Sequence, residues 1–261
     1  TDQGTKIFRL EDHTNRLFES ADAVNMEIPF SREKFNEVQK EIFKVNNLKE
    51  GYIRPMCFYG AQGMGLRADN LKTHCIVAAW EWPSYMSPEA FDEGIKIKIS
   101  SYKRQTNNLV SRSKVNGNYV TSIMALQEAM QEGFDEALLL DDETNISEGS
   151  GENLFLVKEG KLFTPDLAAS LNGITRKSII SLAKEDGIEV KVKKISLNEI
   201  LDADELFFTG TAAEVVPIKM VDQNLIANGK RGPITTILQK KYFDQVRGKR
   251  DSFVEWLTPI E

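Results

Sequence analysis

Residues 102–113, YKRQTNNLVSRS, separate two differently patterned stretches of chain, and any fold has to accommodate both. The segment is polar and lacks sustained periodicity, so it reads as a connector. Upstream, a helix is predicted over 12–25, with Asp12 as its cap and Leu17, Ala21 and Val24 on one face. A second follows Ser31, where Phe35, Val38, Ile42 and Val45 recur at helical spacing. Strand candidates then lie at 52–60, 73–82 and 94–100, the last alternating isoleucine with lysine as a strand with one wet face should. This order predicts an α+β half built on an antiparallel sheet. Downstream, a helix is predicted from about Gly117 to Glu132, with Tyr119, Ile123, Leu126 and Met130 along a stripe and Gly133 as its stop. Strands follow at 136–141 and 153–157, with a hairpin through KEGK. A helix beginning near Thr175 stops at Gly187, three more strands lie in EVKVKKI, ELFFTG and EVVPIKMVD, and Pro233 opens a last helix. The expected division is a small domain over 1–103, a connector over 104–112 and a larger domain over 113–261.

Composition removes several chemistries. A chain of 261 residues with 41% hydrophobic and 28% charged residues can bury a proper core. A net charge of −6 without a dense basic run argues against nucleic acid as a partner. The most continuous apolar run, within 71–82, is too short to cross a bilayer, and TDQGTKIFRLED does not read as a signal peptide. With only His13 and His74, a multi-histidine metal site is not expected. Cys57 and Cys75 could pair once, but nothing else suggests a secreted scaffold, so a cytoplasmic location is expected. The glycine-rich GAQGMG at 60–65 misses the dinucleotide fingerprint and reads as a turn. Lysine, carboxylate, tyrosine and arginine, or a cofactor, must supply any catalytic groups.

Four stretches could do so. Lys114 stands at a helix start, where a cation sits badly beside the positive end of the dipole. LNGITRKSII (171–180) puts Gly173, Ile174 and Thr175 at another helix start, a ready phosphate site. FFTGTAAE (207–214) ends a strand in a turn rich in amides and hydroxyls, and NISEGSGENLF (145–155) places Glu148 and Glu152 among glycines. Each alone has a bland reading as a cap, a turn or a solvated loop.

In order, K-x-x-G-N-Y, S-E-G-x-G-E-N-L-F, L-x-G-I-T-R and G-T-A-A-E resemble the branched-chain amino-acid aminotransferases, pyridoxal-phosphate enzymes of fold type IV. The resemblance extends upstream through NRLFESA (15–21), YIRP (52–55), GMG (63–65) and GFDEALLLD (133–141), and so covers essentially the whole chain. D-amino-acid transaminases and aminodeoxychorismate lyases share the fold, but GENLF with GTAAE looks more like the branched-chain group. The resemblance implies an α+β, two-domain fold: a small α/β domain, a larger one with a β-barrel-like core, and the cofactor between them. It also implies ping-pong transfer of an amino group between leucine, isoleucine or valine and 2-oxoglutarate, and at least a homodimer.

The resemblance also implies roles for residues. Lys114 becomes the Schiff-base lysine and proton shuttle, and its position near a helix N-terminus, if buried, would disfavour the ammonium. Glu148 matches the partner of the cofactor's ring nitrogen, and Glu152 a structural residue that ties the loop down. Tyr119 matches the tyrosine that bonds the cofactor's phenolic oxygen. Arg16 matches the phosphate-binding arginine, with Thr175, Thr211, Gly210 and the amides of Ile174 and Thr175 completing the cradle. For the substrate, Trp82, Tyr85 and Tyr119 match an aromatic wall and Arg54 takes glutamate's distal carboxylate. Tyr52, with amides near Thr211 and Ala212, holds the α-carboxylate. Leu66 corresponds to a residue that reaches the neighbouring subunit's pocket. Family members carry a few dozen residues ahead of this chain's first position, including a Y-G-x-x-x-F-E-G type motif. The loops at 105–113 and 166–172 each read about one residue shorter than common family versions.

Overall fold

The structure, a computed structural model, describes residues 1–67, 69–82, 84–106 and 112–260. By internal contacts the chain forms two compact units, Thr1–Pro83 with Gln245–Glu261, and Ser84–Asp244. Of the connector expected over 104–112, residues 107–111 lie outside the described residues.

The first unit opens with a short strand β1 (Lys6–Phe8) and two helices, α1 (Leu10–Asp22) and α2 (Arg32–Val45). Asp12 does not cap α1. Arg9 occupies that position in the left-handed region (φ 55°), and Asp12 instead accepts from its Nε at 2.5 Å. Helix α2 follows Ser31 as expected, and Ser31 caps it by accepting from the Lys34 amide at 3.2 Å. The face α2 buries is Phe35, Gln39 and Phe43, leaving Val38 and Val45 exposed. Gln39 can be buried because its Nε2 donates to Thr14 Oγ1 at 2.9 Å and to the Phe35 carbonyl at 3.2 Å. Strands β2 (Tyr52–Tyr59) and β3 (Thr73–Trp80) form an eight-residue antiparallel ladder by themselves.

The second unit begins with α3 (Pro88–Glu93) and β4 (Ile95–Arg104), followed by α4 (Tyr119–Gln131), β5 (Glu136–Asp141) and β6 (Ile146–Gly149). Next come β7 (Asn153–Lys158), β8 (Lys161–Pro165), α5 (Ile174–Glu185), β9 (Val190–Lys193) and α6 (Leu197–Leu201). The chain continues through β10 (Glu205–Gly210), β11 (Glu214–Val221) and β12 (Asn224–Leu225) to α7 (Pro233–Val246), and closes in β13 (Leu257–Pro259), which pairs with β1.

Strand β4 does not join β2 and β3 as expected; it runs parallel to both β5 and β11. The alternation in IKIKIS marks a strand but not its partner, whereas strand–helix–strand order across α4 is the signature of a parallel crossover. Among the described residues nine strands share this sheet, in the order β6-β5-β4-β11-β10-β7-β8-β9 with β12 on β11. Strand β6, at one end, packs against β7 and β8 near the other, so the sheet curls into a half-barrel. Its core is apolar and close-packed: Leu138, Leu154, Phe208 and Val216 are fully buried together, and Phe155 and Phe207 stack with centroids 5.1 Å apart.

Helix α4 also differs from its expected register. Its buried residues are Ser122, Ala125 and Ala129, while Ile123 and Met130 are exposed. Small residues let the helix lie close on β4 and β5, where Ala137 and Leu139 complete a second cluster. Glu128 fastens it further, accepting from Ser100 Oγ at 2.6 Å and the Ser101 amide at 3.0 Å. Helix α7 starts at Pro233, and the Glu205 carboxylate caps it through the amides of Ile234 (3.0 Å) and Thr235 (2.7 Å).

Candidate active site

In the second unit the sequence around Lys114 builds a tight corner. Val115 is extended, Asn116–Asn118 form a single 3₁₀ turn, and α4 starts at Tyr119. The Asn118 side chain donates to the Ser113 carbonyl at 3.3 Å and ties the corner together. This folds Lys114 back onto Tyr119: Nζ donates to the tyrosine hydroxyl at 2.5 Å and lies 5.0 Å from the ring centroid. Lys114 is exposed, so the burial invoked for it above is not what this corner provides. The corner holds it instead by hydrogen bonding.

Glu148, in a stretch whose bland reading is a solvated loop, lies on β6 and is 4% exposed. A buried carboxylate needs partners, and it has three. Arg104 at the end of β4 approaches to 2.8 Å, the Leu171 amide donates at 3.0 Å and Asn153 Nδ2 at 3.5 Å. Burial pushes the Glu148 carboxyl up, against the pull of Arg104, the Leu171 amide and Lys114. Arg104 also donates to the Asn118 carbonyl at 3.3 Å and to Ser122 Oγ at 3.1 Å. One guanidinium thus links Glu148 to the start of the helix that carries Tyr119. Sequence reasoning missed Arg104, placing it at the edge of the polar connector. Its only signal was that it closes the alternating strand IKIKISSYKR.

Glu152 is held by the Gly151 amide at 3.0 Å. Burial raises its carboxyl well above the usual range, and the neighbouring Glu136 adds to this, opposed by the Gly151 amide and Lys114. Burial likewise raises Glu136, whose Oε1 takes the Ala137 amide at 2.6 Å while its Oε2 is buried without a hydrogen-bond partner among the described residues. The two carboxyls therefore both favour their protonated forms, Glu152 the more so for the Glu136 charge beside it. Tyr85 feels the same charges: burial first, then Glu136 and Glu152, push its hydroxyl up to about 12.

The start of α5 completes this group. Gly173 occupies the cap position, offers no side chain to the first-turn amides, and leaves Ile174 and Thr175 buried. A Cβ at Gly173 would stand 2.0 Å from Asn153 Oδ1, so only glycine lets α5 approach so closely. Asn153, also unforeseen, donates to the Leu171 carbonyl at 2.9 Å and joins this helix start to Glu148. The Thr175 hydroxyl is hydrogen-bonded to Tyr242 on α7. At the end of β10, a Cβ on Gly210 would be 3.4 Å from the Gly151 carbonyl, which sets the Thr211–Ala212 turn beside the Glu148–Glu152 segment. Lys114, Tyr119, Glu148, Ile174, Thr175 and Gly210 are therefore assembled around one end of the half-barrel.

The first unit makes its own cluster. Tyr52 on β2 lies 4.8 Å from Trp82 and 5.3 Å from Trp80 between ring centroids, and the two tryptophans stack at 5.6 Å. The Arg54 guanidinium lies 5.6 Å from both the Tyr52 and Trp80 rings, within cation–π range. Trp80 is the member the sequence reading did not single out. Arg16 on α1 sits 3.5 Å from His13 Nδ1, and Leu66 is fully exposed.

A lysine beside a tyrosine, a buried carboxylate and an open helix start belong to cofactor-dependent amine chemistry, and relatives agree. Residues 3–221 match the family model described as amino-transferase class IV, and the chain belongs to that family. Within it, the chain belongs with the branched-chain-amino-acid aminotransferases. The Pseudomonas aeruginosa protein of that name is 52% identical over 262 residues, covering 100% of this chain and 85% of the relative. The Escherichia coli K12 protein is 39% identical over 261 residues, 99% of this chain and 84% of its own. Among solved structures, the T.th. branched-chain amino acid aminotransferase with pyridoxamine 5'-phosphate superposes with a TM-score of 0.97 at 41% identity, over 100% of this chain and 86% of that one. The same enzyme complexed with N-(5'-phosphopyridoxyl)-L-glutamate gives 0.96 at 41%, again over 100% and 86%.

Proposed function

We propose that this chain is a transaminase that moves the amino group between branched-chain L-amino acids and 2-oxoglutarate, with pyridoxal 5'-phosphate as its cofactor, in alternating half-reactions. The observation that carries the reading is Lys114 Nζ at 2.5 Å from the Tyr119 hydroxyl, in a group that includes the buried carboxylate of Glu148. The relatives named above support both cofactor and substrates, since one solved structure is with pyridoxamine 5'-phosphate and another with a phosphopyridoxyl adduct of glutamate.

The residues present fit such a cofactor. The uncapped start of α5 and the adjoining Gly210–Thr211 turn offer amides and hydroxyls to a phosphate. Glu148 offers a buried negative charge to a protonated ring nitrogen, and Lys114 the primary amine an aldehyde requires. When bound, pyridoxal phosphate supplies the electron sink that lets a substrate α-proton leave. Lys114 takes and returns that proton at Nζ, and its exposure gives the amine room to swing between positions. Tyr119, accepting from Nζ, orients the amine and places its own hydroxyl for the cofactor's phenolic oxygen. Arg104 favours the ionised form of Glu148 against the penalty of its burial.

In the first unit, Arg54 is the cation for glutamate's distal carboxylate and Tyr52 a donor to the α-carboxylate, with Trp82 as apolar wall and Arg16 as a phosphate-binding cation. In the second unit, Tyr85 is an apolar wall residue and the amides of Thr211 and Ala212 are donors to a substrate carboxylate. We place the active form in the cytoplasm as a homodimer or higher homo-oligomer, with Leu66 serving the neighbouring subunit.

The test is the visible spectrum of the purified chain with pyridoxal phosphate, followed by L-leucine and then 2-oxoglutarate. Loss of the band with leucine, its return with 2-oxoglutarate, and formation of glutamate are expected. Amino transfer from D-alanine, or cleavage of aminodeoxychorismate, with none from leucine, isoleucine or valine would assign the chain to another activity of this fold.

A further inference from the structure

Cys57 and Cys75 are the only cysteines of the chain, and they stand directly opposite each other in the β2–β3 ladder. Cys57 Sγ donates to Cys75 Sγ at 3.4 Å. Opposed residues in an antiparallel pair have Cα atoms about 4.5–5.5 Å apart, inside the roughly 4.4–6.8 Å that a disulfide spans. Bond formation therefore requires rotation of two side chains and no change of register. Both thiols are half-buried, within reach of a small oxidant.

A soft metal is the other natural ligand for two thiols. Among the described residues, however, no group of three or more histidine, cysteine or acidic side chains is placed to hold a metal ion. Strand alternation puts the neighbouring His74 on the opposite face of the ribbon, where it stacks on Phe58 at 5.6 Å. We propose that Cys57 and Cys75 form a modification site: a dithiol that closes reversibly to a cross-strand disulfide by exchange with a small-molecule disulfide of the oxidised-glutathione type.

The electrons balance within that exchange. Burial, and then the adjacent Cys75, push the Cys57 thiol up to about 12, so Cys57 is the hydrogen-bond donor of the pair and the attack falls to the Cys75 sulfur, whose proton passes to solvent as it attacks. Attack on one sulfur of the small disulfide expels one thiolate, which takes up a proton, and leaves a mixed disulfide on Cys75. Cys57 then loses its proton to solvent and attacks the Cys75 sulfur, expelling the second thiolate. Two protein thiols are oxidised, one disulfide is reduced to two thiols, and the new bond closes a loop over residues 58–74. By strand alternation Cys57 lies on the face away from Tyr52 and Arg54, so oxidation stiffens the ribbon that bears them without occupying their side of it.

The experiment treats the full-length chain with oxidised glutathione, blocks the remaining thiols with iodoacetamide, and maps the digest by mass spectrometry without reductant. A single cross-linked pair of peptides containing Cys57 and Cys75 is expected. It should be accompanied by loss of both titratable thiols and full recovery with dithiothreitol. Persistence of both thiols overturns the proposal, as does a reaction that halts at a glutathione adduct on one cysteine. Disulfide-linked dimers on a non-reducing gel in place of the internal cross-link would also overturn it.

Discussion

Arg104, at the end of β4, and Glu148, on β6, meet at 2.8 Å across the intervening β5, with side chains 11% and 5% exposed. The pair binds two features that lie far apart in sequence: the acidic turn motif and the corner that presents Lys114 and Tyr119.

Removal of Arg104 leaves Glu148 buried and without its main counter-charge. Breaking such a pair typically costs about 3–5 kcal/mol, or the orphaned group neutralises instead. Burial already pushes Glu148 upward and Arg104 opposes it, so Arg104→Ala should shift it further toward the protonated form. The variant is expected to lose at least about tenfold in kcat and to have a lowered melting temperature, with Arg104→Lys between the two. Unchanged turnover in Arg104→Ala would remove Arg104 from the site.

The amine and its partner can be separated genetically. Lys114→Ala should abolish both activity and the visible band formed with pyridoxal phosphate. Tyr119→Phe removes a hydrogen bond to a charged donor, worth about 1.5–3 kcal/mol, or about 10–100-fold in rate if it acts in the transition state. The Tyr119→Phe protein should remain coloured, with an altered band position and kcat reduced on that scale. A Tyr119→Phe enzyme with wild-type kcat would make the 2.5 Å contact incidental.

Gly173 tests the anion cradle. An alanine there would drive its Cβ to 2.0 Å from Asn153 Oδ1, and Asn153 cannot yield without loosening its bonds to Leu171 and Glu148. Overpacking of this kind costs about 1–3 kcal/mol. Gly173→Ala should melt several degrees lower and bind pyridoxal phosphate more weakly, measured by equilibrium titration of the band. Wild-type affinity would show that the start of α5 is not the cradle.

What the sequence revealed and what it hid divide on physical lines. Two helix starts were legible because their chemistry is local: α2 follows Ser31 and Gly173 opens α5, whereas at α1 Asp12 pairs with Arg9 instead of capping. The partner of β4 was not, since an isoleucine–lysine alternation fixes a wet face but leaves open which strand lies alongside. Helix α4 defeated a reading by size, because close packing on a sheet favours Ser122, Ala125 and Ala129 over the bulkier Ile123 and Met130. Arg104 was hidden for a related reason. Nothing near it in sequence is acidic enough to announce an ion pair, and its carboxylate arrives from β6 only after the parallel β4–β5 crossover is made.

The buried carboxyls of Glu136 and Glu152 give the fold a pH dependence whose sign follows from proton counting. Burial raises both groups in the folded chain above the value of 4.5 they take when exposed, and the Glu136 charge raises Glu152 further. Between the two values the folded state binds more protons than the unfolded one, so stability falls as pH rises. The contribution is fully present below the unfolded value and is lost as pH climbs through the folded one. Glu152→Gln removes one titration while its amide oxygen can still accept from the Gly151 N–H, and its NH₂ can donate toward Glu136. The variant should therefore gain on wild type in melting temperature as pH rises from the ordinary carboxylate value through the raised value of Glu152, with the advantage shrinking on the acid side. Parallel melting curves across that range would mean that the Glu152 carboxyl is not raised in the folded chain.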